Sequence, residues 1–524
     1  MSTSERYYRS DKIDRGAIYT PTDLARAMCD WAIDSDSTSI LDPSSGDGVF
    51  LDTAKEKLLS LQDDLTAKIV GVDIDEDVAK KTGAIHSDFF EWYDSQSKFD
   101  VILGNPPYIR SQIFPKESRD MAFKIMEELG CEPKNMMSSW VPFTAICSSM
   151  LTENGKMAFV LPEELLTVQY ASPLRDWLLE HIGDVTICPT GTNLFPDAQV
   201  KPLIVLIERK SGGGVLRRIA WSDFIAKKYS KSVKSPPLGY LKGKWAHLFM
   251  EPKDLKVMTS LSKSLKWPEF SNYGHACVGV VSGNKKFFIR SGEEFSNVDP
   301  EYLTDIVCNA QDIPGMIFKK SDFKKLEANP KRPSKLLTFE SYPTSKPAQN
   351  LIEEGESSGV NKGYKCRVRK LWYSVPSIYN CDAFMLRQSN IATRLITAKM
   401  PITSNSTVHR VIWNEGVDGD AVVASYMNSF TLLMSEILGR PYGGGVLTII
   451  PGDANSIPVP SEGCLSKTHL KELDKLIRKG KTVEAIEVVD NAILLPLIGE
   501  EKLSTLQAVR ERVTNRRLGI SQTD

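Results

Sequence analysis

The chain has 524 residues, 41% hydrophobic and 25% charged, an ordinary globular composition that supports roughly two to four domains. No apolar run reaches the roughly 18 residues that a membrane span requires, and the polar, acid-bearing start MSTSERYYRSDKIDRG resembles no signal or transit peptide. Nine scattered cysteines without a C-x-x-C pair argue against a zinc site or disulfide framework and suit a reducing cytosol. The net charge of −1 hides a division. Residues 1–200 hold 18 Lys+Arg against 33 Asp+Glu, and the remainder holds 47 against 33, so polyanion binding is expected mainly of the second part.

In chain order, Thr22 or Asp23 can cap a first helix that carries Leu24, Met28 and Trp31 on one face. From about residue 38 to 207, short apolar runs alternate with helical stretches. Strands are expected at Ser39–Asp42, Lys68–Asp73, Ala84–Asp88, Phe99–Leu103, Lys156–Leu161, Asp184–Cys188 and Leu203–Ile207. Helices are expected at Val49–Ser60, Lys116–Leu129 and Ser138–Leu151. Runs such as IVGVD, FDVILG and PLIVLI are of the kind buried on both faces, so the order predicts an α/β fold with a doubly wound, mostly parallel seven-stranded sheet.

The stretch Lys210–Gly239, with its SGGG and Pro236-Pro237, reads as a connector. Beyond it the regular alternation is lost, and aromatic and basic residues mix in GNKKFFIR, FKKSDFKKLEANPKRPSK and GYKCRVRKLWYSVPSIY. A Gly-rich loop follows at Gly443–Gly445, and helices are expected at His469–Arg478 and Leu503–Arg517. The expected division is 1–210 catalytic, 211–239 connector, 240–460 a separate mixed α/β domain, and 461–524 a helical segment.

Two segments carry chemistry. In Leu41–Leu51 (LDPSSGDGVFL), a strand runs into a tight turn and then a helix, and Gly46 and Gly48 let backbone approach a ligand where a side chain would collide. Asp73 closes the next strand, 25 positions beyond Gly48, where a carboxylate can take ribose hydroxyls. Asp88 and Phe89 end the third strand and offer a carboxylate for an amino group and a ring to cover a purine. A dinucleotide site would want a third glycine and an open helix N-terminus. Here the third position is Leu51, and Asp42 and Asp47 crowd the turn with charge that repels phosphate and suits a cation such as S-adenosylmethionine.

The second segment is Asn105-Pro106-Pro107-Tyr108, at the carboxyl end of the fourth expected strand. Two prolines stiffen the backbone, and the Asn105 side-chain oxygen and Pro106 carbonyl can accept both hydrogens of one amine. An exocyclic aryl amine has its lone pair delocalised into the ring. Two acceptors on its hydrogens favour a more tetrahedral nitrogen that can attack a sulfonium methyl, work of orientation and electrostatics that calls for no metal. Tyr108 supplies a flat face for an extruded base.

These segments resemble the γ-class N6-adenine DNA methyltransferases typified by the TaqI methylase, over about residues 15–210. The likeness takes in Gly16–Pro21 (GAIYTP), Asp42–Phe50, Gly71–Asp75, Asp88-Phe89, Asn105–Tyr108 and Phe195-Pro196. It implies that Thr20 and Asp42 hold the methionine part of the cofactor, that Ile74 and Phe89 sandwich its adenine, that Asp88 binds its amino group, and that Phe195 stacks on a flipped base. It further implies a C-terminal target-recognition domain, the product S-adenosylhomocysteine and duplex DNA with a short target as partner. The resemblance also implies a monomer in the bacterial or archaeal cytoplasm, associated with the nucleoid, and a cognate restriction endonuclease as a functional partner only. One departure is Ser44-Ser45, where small apolar residues also occur in relatives.

Lys285, Lys286, Arg367 and Arg369 are expected phosphate contacts, which position a duplex without reading it. The run Lys319-Lys320 with Lys324-Lys325 reads instead as a solvated face. Two alternatives stay open: an N4-cytosine enzyme, which would favour Ser at position 105 and Trp or Phe at 108, and a protein-glutamine methyltransferase, which would lack the basic C-terminal region.

Overall fold

The computed structural model describes residues 20–62, 66–190, 202–237, 241, 243–442, 445–460 and 464–520. They fall into two compact units, Met1–Pro252 and Lys253–Asp524.

The first unit is built on one nine-stranded sheet. Its strands are β1 (Ser39–Asp42), β2 (Lys68–Asp73), β3 (Ile85–His86), β4 (Phe99–Gly104), β5 (Leu151–Pro162), β6 (Gly183–Pro189), β7 (Pro202–Arg209), β8 (Leu216–Arg218) and β9 (Val233–Lys234). Their order is β3-β2-β1-β4-β5-β7-β6-β8-β9. Strands β1 to β5 are parallel, whereas β7 runs antiparallel between β5 and β6. All seven expected strands are present, and the expected doubly wound α/β fold is borne out.

Pleating explains why the expected strands read as continuous apolar runs. Met157, Phe159 and Leu161 of β5 enter one buried cluster with Leu41 and Ile102, and Ala158 and Val160 enter another with Ile40, Val101 and Leu103. Helix α1 (Thr22–Ala32) and helix α2 (Val49–Leu59) cover the second cluster. Helix α3 (Lys116–Glu128) and helix α4 (Trp140–Ser149), all ten of whose residues are buried, belong to the first. Leu24 and Met28 of α1 are buried as expected and Trp31 is half-buried. The cap differs from expectation: Pro21 holds the N-cap position with φ −58°, so Thr22 and Asp23 lie inside the first turn and no side chain caps it.

The stretch expected to be a connector contains β8, parallel to β6, and β9, antiparallel to β8. The next residues also belong to this unit. Trp245 and Leu248 join the first cluster, the Trp245 N–H donates to the Leu166 carbonyl (2.9 Å), and buried Arg175 donates to the carbonyls of Leu165, Val168 and Gly243.

The second unit holds three smaller sheets. A five-stranded sheet orders Gly274–Cys277, Val408–Trp413, Ala383–Leu386, Leu395–Ala398 and Ile317–Phe318. A four-stranded sheet orders Ile289–Arg290, Lys335–Leu337, Leu303–Val307 and Thr403–Ser404, and a third joins Gln388–Ser389, Val446–Thr448 and Arg440–Tyr442. The C-terminal helices are integral to this unit. Asp474 accepts the Met316 and Ile317 N–H groups, Arg478 pairs with Asp322, and Arg517 pairs with Glu436. Among the described residues no single helix is long and apolar enough to cross a membrane.

If residues 241–252 complete the first core, Trp245→Ala should destabilise that unit by about 3–5 kcal/mol, the usual range for emptying a buried tryptophan site. Urea unfolding followed by circular dichroism measures this, and a loss below about 1 kcal/mol would put the segment outside the core.

Candidate active site

Because β1, β2 and β4 are parallel neighbours, their carboxyl ends share one edge of the sheet, the edge where ligands of open α/β folds bind. Asp42 ends β1, Asp73 ends β2, and Asn105 follows Gly104 at the end of β4.

The turn after β1 is held by the end of β2. Asp73 accepts the Gly46 N–H on Oδ2 (2.8 Å) and the Asp75 N–H on Oδ1 (2.9 Å), while the Ser45 N–H donates to the Val72 carbonyl (3.0 Å). Gly48 adopts φ +85°, and a Cβ there would stand 3.0 Å from the Thr82 methyl group. A glycine is therefore required on two counts, conformation and space. Gly104 is similarly tight: a Cβ would lie 3.3 Å from Asp42 Oδ1.

Asp42 is 1% exposed. Its Oδ1 accepts the Ser44 N–H (3.2 Å), whereas Oδ2 is buried without a partner among the described residues. Burial pushes its pKa up to about 8; the Ser44 N–H pulls the other way, and the carboxylates of Asp73 and Asp47 add to the rise. An unpartnered buried carboxylate oxygen beside a glycine turn fits a ligand that brings a cationic donor, and a phosphate would meet three acids. The residues present thus fit S-adenosylmethionine.

Further along the edge, Asp88 caps the short helix Phe89–Trp92 through the Phe90 N–H (2.8 Å), and its second oxygen accepts from the Ser118 hydroxyl. The two residues expected to sandwich a ring differ. Ile74 is 64% exposed, whereas Phe89 is 4% exposed and one face of it stacks on Phe143, with centroids 5.0 Å apart.

The tetrapeptide 105–108 is anchored by several elements. Asn105 Nδ2 donates to Thr20 Oγ1 (3.3 Å), the Asn105 carbonyl accepts from Ser44 Oγ (3.4 Å), and the Tyr108 hydroxyl donates to the Val160 carbonyl (3.0 Å). Thr20 therefore sits against the asparagine amide. Ser139, which the motif reading missed, bonds the backbone on both sides of Tyr108. Phe195 and residues 16–19 lie outside the described residues.

In the second unit, Lys285, Lys286, Lys365 and Arg367 are exposed, and so are Tyr364 (67%) and Val368 (62%). Gly283 brings the first pair to the others: a Cβ there would lie 3.0 Å from Lys365 Cβ. Arg369 differs from its expected part. Its guanidinium donates to the carbonyls of Val281, Ser282 and Trp372, so it fastens the two segments together and presents few donors to a phosphate. Lys320, Lys324 and Lys325 lie on the solvent side of the helix Lys320–Glu327, as expected of a solvated face. Gly443 and Gly444 lie outside the described residues; Gly445 packs on Leu518, and its carbonyl accepts from Arg517.

A sheet in which an antiparallel seventh strand lies between the fifth and the sixth, with a glycine turn and a row of strand-end carboxylates at its carboxyl edge, defines an S-adenosylmethionine-dependent methyltransferase. Residues 47–191 match the family model of the Eco57I restriction-modification methylase, and residues 242–494 match that of the C-terminal domain of the Type II methyltransferase M.Eco57I. The chain belongs to this family of restriction-modification DNA methyltransferases.

The Type II methyltransferase M.AccI of Acinetobacter calcoaceticus is 22% identical over 498 residues, 88% of each chain. M.HincII of Haemophilus influenzae is 30% identical over 177 residues, which span 33% of this chain and 32% of that one. Among solved structures, a nuclease-deletion mutant of the Type ISP restriction-modification enzyme LlaGI with a DNA substrate mimic is 13% identical, with a TM-score of 0.48 over 89% of this chain and 54% of that one. The type IIG restriction endonuclease BpuSI, also 13% identical, gives a TM-score of 0.42 over 96% of this chain and 66% of its own.

The protonated state of Asp42 has a measurable consequence. The folded chain keeps a proton that the unfolded chain releases near the ordinary carboxyl pKa, so stability falls as pH rises from about 4 to about 8, by at most about 1.4 kcal/mol per pH unit. Urea denaturation of the ligand-free protein at pH 5 and pH 8 should show that loss in the wild type and not in Asp42→Asn. Parallel pH dependence in the two would mean that Asp42 is ionised in the fold.

Proposed function

We propose that this protein transfers a methyl group from S-adenosylmethionine to the N6 amine of an adenine flipped out of a short duplex target. The observation that carries the reading is the orientation of Asn105 at the strand end beside the Asp42 turn. With Nδ2 given to Thr20 Oγ1, the acceptor role of the amide falls to Oδ1, as amine recognition requires. The cofactor, when bound, supplies an electrophilic methyl group. Asn105 Oδ1 and the Pro106 carbonyl accept the two amine hydrogens and hold the nitrogen lone pair toward that methyl, and Tyr108 stacks on the extruded base. Asp42 and Asp73 hold the cofactor's methionine part and ribose, Ile74, Asp88 and Phe89 its adenine, and Phe195 covers the base pocket. Asn at 105 and Tyr at 108 favour adenine over the N4 of cytosine.

Asn105→Ala should lower methyl incorporation into unmethylated genomic DNA by at least about 100-fold, the scale for a lost transition-state hydrogen bond, with little change in cofactor affinity. Nucleoside mass spectrometry of the wild-type product should find N6-methyladenine; N4-methylcytosine in its place would overturn the base assignment, and undiminished turnover in the variant would overturn the role of Asn105.

For the duplex, the exposed cations Lys285, Lys286, Lys365 and Arg367 contact phosphate. The stretch from Ser357 to Cys381 contains no acid and carries Lys362, Lys365, Arg367, Arg369 and Lys370. Replacing Lys365 and Arg367 together by Ala should weaken binding alike for all sequences. It should also shrink the slope of log affinity against log salt by about 1 for each phosphate no longer neutralised. An unchanged slope in a fluorescence-anisotropy titration would move the phosphate-binding cations elsewhere.

A further inference from the structure

We infer that Ser139 is a positioning residue for methyl transfer: its hydroxyl, diverted from capping its own helix, fixes the Pro107–Ile109 backbone so that, of the Asn105, Pro106 and Pro107 carbonyls, that of Pro106 is left for the substrate amine. The inference rests on reading residues 105–108 as the amine-binding segment.

Ser139 occupies the N-cap position of α4 and is fully buried. A serine there ordinarily turns its hydroxyl back to an N–H of the first helical turn. This one makes no such bond. Its Oγ instead donates to the Pro107 carbonyl and accepts the Ile109 N–H (2.9 Å), and its own N–H donates to the Ile109 carbonyl (3.0 Å). All three bonds go to the backbone on either side of Tyr108.

The chemistry of the segment makes such an anchor necessary. Pro106 and Pro107 have no N–H, so the segment cannot fasten itself through a local turn and its carbonyls are its main handles. Ser44 takes the Asn105 carbonyl and Ser139 takes that of Pro107. Among the described residues, no donor reaches the carbonyl of Pro106. The serine thus selects which carbonyl is presented. It does so from a helix whose every residue is buried, a platform that cannot yield without repacking the first core cluster.

The test uses the full-length protein, tritiated S-adenosylmethionine and unmethylated genomic DNA. Ser139→Ala should lower kcat by about 10–100-fold, the scale for a small misplacement of a reacting group, while KM for DNA and the calorimetric cofactor Kd stay within about 2-fold. Ser148→Ala is the control. It removes another fully buried hydroxyl of the same helix, one that bonds only the helix's own carbonyls of Thr144 and Ala145, and it should leave kcat unchanged.

If Ser139→Ala does not yield folded protein, Ser139→Cys keeps the volume with a weakly donating thiol and carries the same expectation. Wild-type kcat in a folded Ser139 variant overturns the inference, and so does an equal loss in Ser148→Ala. Asn105→Ala in parallel separates the two readings. If it abolishes turnover while Ser139→Ala does not, the positioning role alone fails; if neither affects turnover, the amine-binding segment has been misread.

Discussion

The parallel pairing of β1 with β2 and with β4 is the constraint on which the site depends. It brings Asp42, Asp73 and Asn105, drawn from positions 63 residues apart in the chain, to one edge. Once there, the groups are not independent. Asp73 spends one oxygen on the Gly46 N–H of the glycine turn and the other on the Asp75 N–H just beyond its own strand, and its charge helps keep Asp42 protonated. A buried carboxyl with one idle oxygen is a standing cost to the fold. A cationic ligand that supplies a donor offsets it, so occupancy and local stability are coupled.

A second dependence runs through the two prolines. They give the 105–108 backbone a restricted shape but deprive it of donors, so its position comes from outside: Ser44 from the first turn, Thr20 ahead of α1, Val160 from β5 and Ser139 from the start of α4. Four separate stretches of chain must therefore be in place before the segment is defined. This is a reason for stationing it between a buried strand and a buried helix, where packing permits little slack.

What the sequence made legible follows from the same physics. Strands buried on both faces read as unbroken apolar runs, so the seven strands of the mostly parallel core could be located, with only β3 shortened to Ile85–His86. The stretch after β7 could not. SGGG and a Pro-Pro pair signal a linker, yet a Cβ on Gly214 would collide with the Gly183 carbonyl, so that glycine marks a crossing of two backbones at the start of β6. Arg369 misled for a related reason. Alternating basic residues resemble a phosphate patch, while two of the three carbonyls that occupy this arginine lie 87 and 88 residues away in sequence. Ser139 carried no signal because its partners are backbone atoms 30 and 32 residues earlier.

The division of charge changes once the unit boundary is known. Split at residue 200, the chain looks strongly polarised, but the first unit extends to Pro252 and takes in a basic stretch, so it holds 29 Lys+Arg against 36 Asp+Glu and the second unit 36 against 30. Net charge per unit is then too small to steer a duplex by itself. What remains is local: strand-end carboxylates on one unit, and on the other an acid-free run whose cations Arg369 knits to those of the 281–286 loop. Local fields of this kind act within about a Debye length, roughly 8 Å at physiological salt. The acids at the carboxyl edge of the first unit therefore act on what binds at that edge and favour a cation there, and the cations of the second unit act on what binds beside them.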